Sequence, residues 1–183
     1  MRAVLVLASA LVVGTPSLLA SPALASDVDA LQAPEFTHAD AAHWLNTPPL
    51  TLRQLHGRVV LVEFWAFDCI NCRRSVPWLH ALSDAYRDRG LVVVGVHTPE
   101  LSNERVPDNI RRATTRLDIR YPVMIDDDYS YWRAMRNQYW PAFYLIDRVG
   151  RVGLTRFGET HPGDANASAL ESAIESELAR RVP

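Results

Sequence analysis

The chain has no lysine. All 19 of its lysine-plus-arginine residues are arginine, against 21 acidic residues and a formal net charge of −2. It therefore offers no basic stripe of the kind that holds a phosphate backbone, and nucleic acid is not an expected partner. Internal repeats are absent, and no segment beyond the N-terminal stretch approaches the ~20 apolar residues of a membrane-spanning helix. Cysteine is scarce too: there are two in 183 residues, in the tetrapeptide Cys69-Ile70-Asn71-Cys72.

A disulfide within that tetrapeptide closes a ring of about four residues, for which chain entropy gives only about 1.8 kcal/mol. As a staple it would contribute little. The pair directly follows the apolar run Val59-Val60-Leu61-Val62-Glu63-Phe64-Trp65, which places it at a strand-to-helix turn. Thiols at a helix start suit reversible exchange through a mixed disulfide, because the thiolate is the attacking form. A soft-metal or haem-handling module is the non-enzymatic alternative. Two thiolates alone make an incomplete zinc site, and covalent haem attachment needs histidine after Cys72, where Arg73 stands. No cysteine has the upstream proline-threonine context of a peroxidase of the peroxiredoxin type.

The N-terminus predicts where such chemistry happens. Met1-Arg2 is a positive start, Ala3 to Val13 is apolar, and Ala23-Leu24-Ala25 fits the small-x-small rule for cleavage before Ser26. Residues 1–25 therefore read as an export signal and 26–183 as one domain, large enough for a sizeable core. The mature protein is expected in the periplasm, or secreted, not membrane-spanning, where cysteine pairs can be oxidised.

Periodicity predicts alternating strands and helices. Leu50-Thr51-Leu52 reads as a short edge strand and 59–65 as a buried strand. From Cys72, Val76, Leu79, Leu82 and Tyr86 mark a helix that stops near Gly90. Leu91 to Val96 reads as a second buried strand, as in a partly parallel sheet. Helix over 109–117, strand over 123–125, helix over 131–137, and a hairpin of strands at 142–146 and 152–157 follow. Asp164 caps a last helix carrying Leu170, Ile174 and Leu178. The order β-α-β-α-β-β-α describes a layered α/β domain.

Glu63 is the sole charge in the run from Val59 to Trp65. A glutamate there needs a partner or a task, and burial pushes its pKa towards neutrality. His97 reads as a satisfied polar residue, and Asp126-Asp127-Asp128 as a helix cap at 129–131 rather than a cation site. His43, His56, His80, His161 and the Arg111-Arg112 doublet are assigned structural or solvated roles.

Val62-Glu63-Phe64-Trp65, the two-cysteine turn and Pro77 five residues beyond Cys72 resemble the active-site segment of thioredoxin-fold proteins. Trp44-Leu45-Asn46, Gly95 to Glu100 and Asn137 to Ala142 extend the likeness to the periplasmic thioredoxin-like domain of DipZ-type cytochrome c biogenesis proteins, in the TlpA and ResA group. The resemblance implies an α/β thioredoxin-like fold, a central mixed β-sheet flanked by helices, and a thiol:disulfide oxidoreductase needing no cofactor and no metal. It implies a redox-active Cys69-Cys72 disulfide, with Cys69 the exposed attacking thiol, Cys72 the buried resolving thiol and Glu63 the proton acceptor. Pro141 becomes a cis-proline facing the cysteines, and Trp65 and Trp140 lie beside it for substrate binding. Expected partners are protein disulfides, apocytochrome c among them, and a membrane electron-transfer protein as reductant. Without a histidine in Ile70-Asn71, which stabilises the thiolate in strongly oxidising relatives, a reductase is favoured over an oxidant or isomerase.

Overall fold

A computed structural model describes residues 31–180; the export signal expected at 1–25 lies outside them. Six strands form one sheet in the order β1-β4-β3-β2-β5-β6. Its centre is β2 (Val59–Trp65), parallel to β3 (Leu91–His97) and antiparallel to β5 (Ala142–Ile146). Beyond β3 lies β4 (Val123–Ile125), parallel to it, and then the antiparallel edge strand β1 (Trp44–Leu45). The other edge is β6 (Val152–Phe157), antiparallel to β5.

All seven residues of β2 are buried, because both sheet faces are covered, and so its apolar run shows no alternation. Alternation survives in which layer each side chain joins. Val59, Leu61 and Trp65 pack with Val76, Leu79 and Leu82 of α1 (Ile70–Tyr86), Ile110 of α2 (Pro107–Arg116) and Leu170 and Ile174 of α4 (Ala165–Ala179). Val60, Val62 and Phe64 pack on the other face with Tyr131 of α3 (Ser130–Ala134) and with Phe36 and Trp44 from the N-terminal segment. Glu63, between Leu61 and Trp65 in that period-2 pattern, therefore lies on the face that α1 covers.

The edge strand is at Trp44–Leu45, not at Leu50-Thr51-Leu52. There the chain turns instead: the Glu35 carboxylate accepts the N–H groups of Leu52 and Arg53 at 2.8 and 3.1 Å, and Leu55 N–H closes onto the Leu52 carbonyl. With those amides, and that of Thr51 bonded to Gln54 Oε1 at 2.9 Å, already taken, the segment cannot form the ladder of a neighbouring strand. The helix from the cysteine turn does end where glycine is expected to end it: Gly90 takes φ 112° after a tight 3₁₀ turn at Arg87–Arg89, a conformation glycine adopts without a Cβ penalty.

Candidate active site

The turn out of β2 delivers both cysteines to the start of α1. Cys69 is its N-cap, and the two form a disulfide with Cα atoms 5.3 Å apart. Cys69 Sγ accepts the Cys72 N–H at 3.2 Å, so one of the unpaired amides of the first helical turn points at the sulfur. In the reduced protein that amide and the positive end of α1 favour a thiolate on Cys69. Cys72 is 0% exposed and Cys69 9%. Cys69 is thus less open than expected, its sulfur being turned inward to Cys72, yet it remains the more accessible of the two. Ile70 between them is 51% exposed.

Glu63 is 1% exposed. Its Oε2 accepts the Tyr121 hydroxyl at 3.2 Å and its Oε1 has no partner among the described residues. Burial, partly offset by that hydrogen bond, pushes its pKa up to about 8. Tyr121 is pushed well above its ordinary value, first by burial and then by the neighbouring carboxylate, so it stays a donor. Asn46, just past the edge strand β1, fixes Tyr121: its amide donates to the carbonyls of both Ile119 and Tyr121 at 2.9 Å. Gly95 faces Glu63 in the β2–β3 register. A Cβ at Gly95 would stand 3.0 Å from Trp65 Nε1 and 3.1 Å from Tyr121 Cε2, so glycine is what lets both rings close over the carboxyl.

Trp65 is not on the substrate face. It is 1% exposed, its indole lying over Gly95 and edge-on to His97 at 4.9 Å. As the last residue of β2 it points to the α1 side, where the helix covers it. The Trp140-Pro141 bond is cis, and Trp140 packs against the core cluster that contains both cysteines. Its indole packs on Trp132, tilted by 32° with centroids 4.1 Å apart, and donates to the Thr98 carbonyl at 3.0 Å. Tyr139, 53% exposed, leans on Phe157, 47% exposed, at 5.0 Å. Together they form an apolar rim beside Pro141. His97 is fully buried between Trp65 and Phe67, with neither ring nitrogen partnered among the described residues, and burial drops its pKa to about 3. It is neutral throughout the physiological range. Among the described residues, no group of three donors spaced to hold a metal ion includes either cysteine.

Sequence reasoning missed Glu104. It is 0% exposed and spans the gap between the cysteine turn and the loop after β3. Its Oε1 accepts the Asp68 N–H at 2.8 Å, and its Oε2 accepts those of Glu100 and Leu101 at 2.7 and 2.8 Å. Asn103 adds a bond to the Asp68 carboxylate at 2.7 Å. In the sequence Glu104 sits in a polar stretch that looks like any solvated loop. The amide of Glu104→Gln replaces an acceptor oxygen with a donor, leaving at least one inward-pointing N–H unpaired. A loss of about 2 kcal/mol is expected, along with slower turnover as the turn before Cys69 loosens. Urea unfolding of the oxidised protein measures the first effect, and an unchanged midpoint would remove Glu104 from this role.

Comparison with known proteins bears on the same residues. The family model for Redoxin matches residues 29–174. Protein DipZ of Mycobacterium tuberculosis is 48% identical over 128 residues, which are 68% of this chain and 18% of DipZ. The chain thus spans about a fifth of that relative's length. Thiol-disulfide oxidoreductase YkuV of Bacillus subtilis is 34% identical over 120 residues, 65% of this chain and 78% of YkuV. Among solved structures, a thioredoxin-like protein in its oxidised form superposes with a TM-score of 0.67 at 29% identity, covering 81% of this chain and 96% of that one. A thioredoxin-like superfamily protein reaches 0.72 at 23% identity, covering 84% and 100%.

Proposed function

We propose, from the premise that this chain belongs to the Redoxin family, among its thioredoxin-like thiol-disulfide oxidoreductases, that it is an exported reductase of protein disulfides. One observation carries the reading: a Cys69–Cys72 disulfide caps α1 on the sheet face where a buried Glu63 holds its proton.

In the reduced enzyme, Cys69 thiolate attacks one sulfur of a substrate disulfide. A mixed disulfide forms and one substrate thiolate leaves. Cys72 then gives its proton to Glu63 in the fraction of molecules where that carboxyl is ionised, a fraction that grows as pH rises towards 8, and attacks Cys69 Sγ, which closes the intramolecular bond and expels the second substrate thiolate. Two electrons pass from the dithiol to the substrate. A neutral Glu63 in the oxidised protein is the expected end state of that step, and the same proton is available to Cys72 when a donor reopens the bond. The rim of Tyr139 and Phe157, beside the backbone of Trp140, suits an extended apolar segment added as a strand.

The likeness to DipZ supports a periplasmic setting, with apocytochrome c cysteines among the substrates and a separate membrane electron carrier as donor. The chain expressed in its own host is expected in the periplasmic fraction, beginning at Ser26 by mass spectrometry. Recovery of a full-length protein from the cytoplasm would contradict export. Dithiothreitol-driven reduction of a model protein disulfide tests the reductase chemistry independently of location.

A further inference from the structure

We propose that this protein holds one divalent transition-metal ion of the zinc class, away from the dithiol, on His38, Asp126 and Asp128. In the sequence the acidic run has no partner at a recognisable spacing; the fold supplies one by laying the segment before β1 across the loop between β4 and α3. His38 Nε2 stands 3.6 Å from Asp126 Oδ1, 3.3 Å from Asp128 Oδ1 and 3.3 Å from Ser130 Oγ. Ser130 Oγ is in turn 3.2 Å from Asp126 Oδ1.

These separations are long for imidazole-to-carboxylate hydrogen bonds, which centre near 2.9 Å. They do match the edges of a tetrahedron around an ion with bonds of about 2.0–2.1 Å, which are about 3.3–3.4 Å. The donor set of one imidazole and two carboxylates suits zinc-like cations, and magnesium, which wants six oxygens, poorly. Water or the Ser130 hydroxyl completes four-coordination. Ser130 has an alternative partner in Thr37 Oγ1, at 2.6 Å, so its bond to Asp126 Oδ1 can give way to the ion while the Tyr131 N–H at 2.9 Å stays on that oxygen.

The surroundings hold the ligands in place. Asp126 is 0% exposed and anchored by the N–H groups of Tyr131 and Trp132 and the Thr98 hydroxyl. The His38 ring, only 11% exposed in its side chain, stacks on His43 at 4.2 Å and 12°, and His43 is fixed by Asp40 at 2.9 Å. Two rings lying flat on each other cannot both aim a nitrogen at one ion, so His43 and Asp40 orient His38 rather than bind. Losing such an outer partner typically costs about 10–100-fold in metal affinity. Arg105 and Arg133 donate to the backbone carbonyls of Asp127 and Asp128; their charge opposes a cation. Asp126 Oδ1 and Asp128 Oδ1 each accept one backbone N–H, from Tyr131 at 2.9 Å and from Ser130 at 2.8 Å, which orients them and leaves a lone pair on each for the ion.

Zinc titrated into tag-free, oxidised, metal-free protein tests this, since the disulfide removes the thiolates as competitors. One equivalent is expected to bind, to raise the melting temperature with concentration, and to be matched by cobalt with the intense visible absorption of a four-coordinate site. Magnesium in excess leaves both readouts unchanged. His38→Ala is expected to weaken zinc by at least about 100-fold, as is Asp128→Asn, a surface change that keeps the test valid should His38→Ala fail to fold. Asp88→Asn, at an exposed acid elsewhere, leaves binding as it is. No binding to the oxidised wild type, or binding indifferent to both ligand variants, overturns the proposal.

Discussion

Cys69→Ser will reduce no protein disulfide above the uncatalysed rate, whereas Cys72→Ser will react once and stop as a mixed disulfide. The asymmetry follows from the turn. Cys69 is the more accessible residue and its sulfur the one that a first-turn amide of α1 addresses, so it makes the first attack. Cys72, wholly buried, never meets substrate and acts only on the adduct at its neighbour. In Cys72→Ser no second sulfur is placed to resolve that adduct, and it accumulates. Non-reducing electrophoresis and intact mass spectrometry read the outcome. An adduct in Cys69→Ser instead of Cys72→Ser would reverse the roles, and full activity in both variants would end the assignment.

Glu63→Gln should produce the largest change in stability. The folded protein holds Glu63 near pKa 8, against an ordinary 4.5. Below about pH 4.5 the carboxyl is protonated both folded and unfolded, and its contribution is fully kept. As pH rises towards 8 the unfolded chain ionises while the fold does not, so stability is lost. A shift of that size corresponds to about 5 kcal/mol by pH 9. Glutamine cannot ionise, and its oxygen can still accept the Tyr121 hydroxyl. The two proteins should therefore match near pH 4 and diverge above it, the variant being the more stable at pH 9. Denaturant unfolding across that range measures the divergence, and parallel pH curves would show that Glu63 ionises as freely in the fold as outside it. The same substitution removes the acceptor for the Cys72 proton. Single-turnover resolution should slow by about 100-fold at neutral pH, and a rate equal to wild type from pH 6 to 9 would exclude Glu63 as that acceptor.

The parts of the fold legible in the sequence are those written by local rules. Apolar runs mark β2, with Glu63 its single charge, and β3 because both sheet faces are covered, Gly90 marks the end of the first helical stretch through its left-handed φ, and Asp164 marks the start of α4 as an N-cap that accepts the Ala167 N–H at 2.7 Å. Glu63 stands out because a lone charge in such a run must be explained. What cannot be read depends on distant pairings. Glu104 looks like a solvated loop residue until the fold brings it to Asp68. Tyr121 gains its role from Glu63, 58 positions away. His38 means little until the N-terminal segment crosses the acidic run. Leu50-Thr51-Leu52 mimics a strand by composition, and the Glu35 carboxylate that makes it a turn lies 17 residues before Leu52. Trp65 is misplaced on the substrate face for a related reason: strand alternation gives its side of the sheet, but only the packing of α1 decides whether that side is open.

The equilibrium reduction potential of the Cys69/Cys72 couple against glutathione tests the central claim most directly, because it reports which way electrons run. Nothing in Ile70-Asn71 stabilises the reduced form as a histidine would, and a protonated Glu63 stays with the closed disulfide. A reductase should equilibrate well below about −200 mV, in the range of reducing thioredoxin-like proteins. A value near −120 mV, that of a strong oxidant, would contradict the account.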